Sequence, residues 1–279
     1  MPAEAGVAVW TELEGTMMAV EVLTFDHGRW HYELIEALGC SRSLRRFCAD
    51  EDAVRTYLHG AGRPQQIDNE GRLTDVDDDS VVKFIRPVTE DLDTAIGAYK
   101  RQLLVVIVAI TEAATNEAFR VLFTYSPQVM NDLAKDGQEL RELRLSVSLD
   151  SLINATDLSS LRASIVDRAV SAATQGRKRS TIRRLERLLK GELADLTRDS
   201  YLALVDRRNS IVHENWRGDV SDDDLEKCFD AGLQFVEEIG RMLAANSLPV
   251  ADPMHLFEAV ANPVPGHGLL PAYRPPAGV

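Results

Sequence analysis

Cysteine is scarce in this chain: Cys40, Cys48 and Cys228 are the only three in 279 residues, and none stands in a CxxC pair. That leaves no even-numbered disulfide framework to organise the fold, and it fits a reducing cytoplasm. Long apolar runs are missing as well. The longest, Leu103 to Ile110, falls far short of the roughly 20 residues that span a bilayer, and no basic segment followed by an apolar one opens the sequence, so no membrane partner is expected. Excess positive charge is also absent. A net charge of -13 argues against a protein that coats nucleic acid, because such binding draws its affinity from many Lys and Arg contacts to phosphate. Any contact with RNA should be local. There is no Walker loop, no GxSxG elbow and no HExxH pair, which sets aside P-loop, serine-hydrolase and zincin chemistry.

What is present is an ordinary globular composition, 45% hydrophobic and 27% charged, in a chain long enough for one large domain or two modest ones. Residues 1–86 are mixed in character, with helices expected at Arg29–Leu38 and around Asp50–Leu58 and a turn at Asn69-Glu70-Gly71. The acidic run from Asp75 to Asp79 suggests a boundary. On that reading 1–86 is a separate N-terminal region, 87–246 a helical domain and 247–279 a tail. From Thr89 to Tyr125 there is no proline, and Ile96, Tyr99, Leu103, Ile107, Ile110, Ala114 and Ala118 recur at three- and four-residue steps, extended by Phe119 and Leu122. This spacing predicts one long helix, ended or kinked by Pro127. A shorter helical piece to about Lys135 follows, and residues 138–174 show further helical spacing with Leu140, Leu143, Leu152, Leu161, Ile165 and Val166 as core positions.

Ser180 or Thr181 is placed to cap a helix carrying Ile182, Leu185, Leu188 and Leu189, with Gly191 where a stop is expected. The next helix should start near Asp199 and carry Leu202, Val205 and Val212. Ser221 followed by Asp222, Asp223 and Asp224 reads as a cap with carboxylates at the positive end of a helix dipole. The helix behind it puts Leu225, Phe229, Val236, Ile239 and Leu243 on one face, with Met242 at its edge. Seven of the eleven prolines fall after residue 247, which predicts a tail, docking around Met254 to Val260, rather than more helix.

The helix from Asp199 carries the residues with the clearest chemistry. Arg208 and His213 are separated by four residues, with Asn209 directly after the arginine and apolar Ile211 and Val212 before the histidine. An imidazole titrates near neutrality, so it can act as a general acid or base, typically a factor of about 10²–10⁴ in rate. A guanidinium holds a phosphate through a planar fork of donors and offsets charge developing on its oxygens. On a helix, Arg208 and His213 point about 140° apart, whereas Asn209 and His213 share a face. Arg208 must therefore reach around the helix or act across a two-fold axis. The plainer alternative is a helix end in which Arg208 pairs with Asp206 or Glu214 and His213 caps.

The run Asp206-Arg207-Arg208-Asn209-Ser210-Ile211-Val212-His213-Glu214-Asn215 resembles the Arg-Asn-x-x-Val-His signature of the HEPN superfamily. The resemblance covers about residues 178–246 and extends more loosely back to the helix from Thr89. It implies a mainly α fold, a HEPN-type helical bundle that pairs as a homodimer; it says nothing about residues 1–86, the smaller mixed N-terminal region, and the Pro-rich C-terminal tail is read from composition alone. It also implies a metal-independent endoribonuclease with no cofactor, of the toxin, anti-phage or RNA-processing kind, with RNA as substrate and Arg208, Asn209 and His213 as functional residues. Asn209 would orient the imidazole or a phosphate oxygen. The alternative is a catalytically inactive HEPN-like dimer that binds RNA or protein. A third reading, favoured by the acidic balance, is an interaction protein with no nucleic-acid role. An antitoxin or trigger partner would act through the N-terminal region.

Other residues bear on these readings. Arg177, Lys178, Arg179, Arg183, Arg184, Arg187 and Lys190 crowd just upstream of the motif. Arg179, Arg183, Arg184 and Arg187 are read as a phosphate-facing surface or, equally, as a solvated helix face. Glu112 sits in the middle of the long apolar helix, where an unmatched charge is costly. It is expected either to face the motif and orient Arg208 or to point to solvent, and Asn116 and Glu117 are weaker versions of the same thought. His27 and His31 stand four apart, but Gly28 intervenes and no third ligand completes a metal site. His59, His255 and His267 have no companions that suggest chemistry.

Overall fold

The computed structural model describes residues 7–13, 16–48, 56, 65–76, 78–133 and 157–251. Among them the chain forms seven helices and two short antiparallel hairpins, a mainly α architecture. Strands β1 (Val7–Leu13) and β2 (Thr16–Val22) pair with Val7 opposite Val22 and Leu13 opposite Thr16. Helix α1 (His27–Cys48) follows, longer at both ends than its apolar spacing suggested. Strands β3 (Gln65–Ile67) and β4 (Leu73–Asp75) then form a small hairpin. Its turn is tied by Asp68, whose carboxylate accepts the Glu70 and Arg72 backbone N–H groups, with Gly71 at φ 77. These bonds to the charged form, the Arg72 backbone first, hold the Asp68 carboxyl below its ordinary range.

The long helix is α2, Asp78–Tyr125, and the fold is built around it. It starts eleven residues earlier than expected and runs through Pro87, so the boundary read at 86/87 falls inside one continuous helix. Its C-terminal half is enclosed by neighbours. Leu103, Leu104, Ile107, Val108, Ala114, Ala118, Phe119, Val121, Leu122 and Phe123 are all buried, more than one amphipathic stripe, because α1, the later α4 (Leu158–Thr174), α6 (Asp195–His213) and α7 (Asp222–Ala245) all pack on it. By length and composition the stretch Glu90–Tyr125 is also apolar enough to cross a bilayer. Pro127 follows the last turn, as the sequence indicated, and α3 (Val129–Leu133) occupies the expected short helical piece.

Helix α4 begins at Asp157, whose carboxylate accepts the Ser160 N–H at 2.6 Å. Of the core positions read over 138–174, Val166 is buried and Leu161 and Ile165 are half-buried. Leu140, Leu143 and Leu152 lie outside the described residues, as does most of the helix expected around Asp50–Leu58. Helix α5 (Lys178–Leu188) starts before Ser180 and Thr181, so neither caps it: Arg177 is the cap residue and makes no side-chain cap bond. Its stop is also one residue early. Lys190, not Gly191, takes the left-handed conformation (φ 49), while the missing Cβ of Gly191 makes room for Met242, whose side chain would stand 3.1 Å away.

Residues 23–48 join the same core instead of forming a separate body. Phe25, Trp30 and Leu34 are buried in the main cluster, and α1 packs on both α2 and α7. The segment after α7 docks there too. Leu248 is buried, the Phe25 N–H donates to the Pro249 carbonyl at 3.0 Å, and the Ala251 N–H donates to the Phe25 carbonyl at 2.9 Å. The tail therefore begins later than residue 247, and the docking expected at Met254–Val260 lies outside the described residues.

Candidate functional site

Helix α6 turns Thr197, Tyr201, Leu204 and Val205 into the core. Tyr201 stacks on Phe235 of α7 with ring centroids 3.7 Å apart, and its hydroxyl meets that of Thr111 on α2 at 3.2 Å. Burial pushes the Tyr201 phenol far above its ordinary range, so it stays protonated. Seven residues is nearly two whole turns, so Arg208 lies on the same inward stripe as Tyr201.

Arg208 is half-buried, and its Nη1 donates to the Asn209 Oδ1 at 3.0 Å. Its Nε is buried and has no acceptor among the described residues. Neither Asp206 nor Glu214 pairs with it, which removes the plain helix-end reading for the arginine. His213 is the last residue of α6 and is exposed. Among the described residues no hydrogen bond or ion pair joins it to Arg208 or Asn209. The structure thus brings Arg208 and Asn209 together and leaves His213 apart from the arginine within one chain. Val212, which the sequence placed among the apolar residues of this helix, is 48% exposed.

Glu112 and Lys178 complete this end of the bundle. Helix α5 is joined to α6 by the loop at residues 189–194. Lys178 Nζ lies 2.8 Å from Glu112 Oε1, and both side chains are about a quarter exposed (27% and 28%). Both Glu112 and Arg208 are near enough to the Tyr201 hydroxyl to act on it electrostatically. Glu112 makes its ion pair with Lys178 and not with Arg208.

The basic stretch on α5 divides in two. Arg179 and Arg183 are exposed, as a phosphate-facing surface needs. Arg184 is not on that surface: it is buried, and its Nη1 donates to the Ala173 and Gln175 carbonyls at 3.1 and 2.6 Å, closing the end of α4. A guanidinium used to satisfy helix-end carbonyls has no donors left for RNA on that side. Arg187 is exposed and reaches the Asp132 carbonyl at 3.3 Å.

Residues that spacing did not single out hold the end of α6. Asn215 turns the chain at φ 52, and the Trp216 N–H donates back to the Ser210 carbonyl at 3.2 Å. Arg207 lies over the Trp216 ring at 5.4 Å and 3.6 Å from Asp224. Gly218 packs against the indole so closely that a Cβ there would stand 2.3 Å from Trp216 Cζ2. Ser221 caps α7 as expected, accepting the Asp224 N–H at 3.0 Å. The acids after it are anchors as well as dipole partners: Asp222 binds Lys100 of α2 at 2.8 Å and Arg45 of α1. The bond from Lys100 leads the causes that hold the Asp222 carboxyl below its ordinary range.

A groove of about 410 Å³ runs between α6 and α7 on the other flank, lined by Leu196, Ser200, Ala203, Arg207, Cys228 and Gln234 among others. None of Arg208, Asn209 or His213 lines it. His27 and His31 do share a face of α1, with ring centroids 5.8 Å apart, and His31 Nε2 lies 3.2 Å from the Leu233 carbonyl. Among the described residues no group of three or more His, Cys, Asp or Glu side chains is placed to hold a metal ion. No protein family, curated protein or solved structure matches the chain.

Proposed function

We propose that this protein is a metal-independent endoribonuclease of HEPN type, working in a toxin or anti-phage setting, whose cleft is completed by a second copy of the chain. The observation that carries this reading is the state of Arg208: half-buried, bonded only to its neighbour Asn209, and without a carboxylate partner among the described residues. A guanidinium in that state keeps donors for a phosphate, and exposed His213 stands on the same helix end. His213 of one copy would exchange the proton at the 2'-hydroxyl or 5'-oxygen, while Arg208 and Asn209 of the other hold the scissile phosphate. Internal attack by the 2'-hydroxyl restricts such cleavage to RNA.

The test is incubation of total RNA in EDTA with wild type, His213→Ala and Arg208→Ala protein. Cleavage by wild type alone is the expected result; equal cleavage by all three, or none by wild type, overturns it. One observation favours a second reading. Within one chain the imidazole and guanidinium do not meet, so a protein that stays monomeric, or pairs through another face, would keep the RNA- or protein-binding surface without the chemistry. RNA retention by wild type with no cleavage at any protein concentration would select that reading.

A further inference from the structure

We propose that Lys178 is a positioning residue: by holding Glu112 in an ion pair, it keeps Arg208 free to receive a phosphate. This deepens the ribonuclease reading and rests on it for its catalytic consequence, though not for its structural one. Three placements support it. Glu112 is on α2 directly after Thr111, and Thr111 meets the Tyr201 hydroxyl at 3.2 Å, which sets the register of α6 against α2. Arg208 lies on the same stripe of α6 as Tyr201, two turns on. Lys178, the first residue of α5, reaches Glu112 at 2.8 Å from the third side.

A carboxylate held in a half-buried site needs a cation, and Lys178 and Arg208 are two that this region offers. The one that captures Glu112 is the lysine, a compact point charge suited to a single partner. The arginine, with the planar fork that fits phosphate, is left with one bond to Asn209 and a buried Nε that has no acceptor among the described residues. Without Lys178, the Glu112 carboxylate would be left to turn to Arg208, which like it acts on the Tyr201 hydroxyl. Arg208 would then have to break a salt bridge before binding RNA, and its fork would be turned away from the cleft.

The test compares wild type, Lys178→Ala, Lys178→Arg, and the double variant Lys178→Ala/Glu112→Gln. Two readouts are taken: RNA cleavage in EDTA, and the Arg208 side-chain Nε–H resonance of ¹⁵N-labelled protein, assigned by its loss in Arg208→Ala. Lys178→Ala should lower kcat/KM by about 10–100-fold, as expected for a misplaced contact group. It should also shift the Nε–H signal downfield as the carboxylate captures it. Lys178→Arg should keep both properties near wild type, and the double variant should recover them to within about threefold of wild type, a small fraction of that loss. If Glu112 instead oriented Arg208 directly, the double variant would be at least as impaired as the single one, and the proposal would be overturned. If wild type does not cleave RNA, the ribonuclease reading fails on its own, and the resonance still decides the matter: no shift in Lys178→Ala, or a shift that Glu112→Gln does not reverse, refutes the role given to Lys178.

Discussion

The two ends of α6 are built on opposite principles. At its start the orphan N–H groups and the first polar side chains are stitched to carboxylates from two other helices. Glu238 of α7, itself buried, accepts the Ala194 N–H at 2.8 Å and the Thr197 hydroxyl at 2.7 Å. Glu186 of α5 accepts the Leu193 N–H at 3.0 Å and Arg198 at 2.6 Å. These acids do the work of a local cap, which Ala194 cannot supply, and sit where the helix dipole favours negative charge. At its end, by contrast, Arg208 bonds only to Asn209 among the described residues, and His213 is exposed. One helix thus has an anchored end that fixes its position and a free end whose donors are left over. A side chain that must meet a substrate cannot also be consumed by the fold.

That contrast can be broken from either side. The largest expected effect is on activity: His213→Ala should lower RNA cleavage by about 10²–10⁴-fold, and Arg208→Ala by about 10²–10³-fold, with stability within about 0.5 kcal/mol of wild type in urea melts. A large loss of stability in either variant would mean that the free end is structural after all. At the anchored end the roles reverse. Glu238→Ala strands the buried Thr197 hydroxyl and removes the acceptor of the Ala194 N–H, and should cost about 1–3 kcal/mol, read as a lower urea midpoint, and Glu238→Gln should cost less because it keeps one acceptor.

Gly218→Ala tests the clamp beside the free end. The added methyl meets Trp216, so about 1–3 kcal/mol of destabilisation is expected, with a change in tryptophan fluorescence as the ring is displaced. The smallest effect is one of pH and serves as a control away from α6. Glu117 on α2 accepts the Asp26 N–H at 3.0 Å and pairs with Arg29, yet burial outweighs both and raises its pKa above the ordinary 4.5. A raised carboxyl contributes stability that is fully present below the unfolded value and is lost as pH rises through the folded one. Wild type measured against Glu117→Gln should therefore lose relative stability as pH climbs from about 4.5 through that raised value, and a flat difference across the window would refute the assignment.

Much of the helical pattern was legible because it is written in local periodicity. The stripe on α2, the stop before Pro127, the Ser221 cap and the buried face of α7 from Leu225 to Leu243 follow from spacing and capping chemistry alone. Boundaries were less legible. The long helix was read over the proline-free stretch from Thr89, but it runs back through Pro87 to Asp78. Of the site, the pairing of Arg208 with Asn209 and the exposure of His213 agree with an open helix end. The fates of Arg184, Glu112 and Val212 were not visible, since each depends on what another helix presents: carbonyls at the end of α4, the Lys178 ammonium, or nothing.

The sequence by itself determined that this chain is mainly helical and that Arg208, Asn209 and His213 fall together at one helix end, because helix periodicity, caps and residue order are properties of neighbouring residues. Only the tertiary structure decided which charges are spent and which are free. Ion pairs such as Lys178 with Glu112, or the capture of the α6 N-terminus by Glu238, join residues 66 and 44 positions apart along the chain (178 − 112 and 238 − 194), and no local pattern encodes a partner that folding alone brings near.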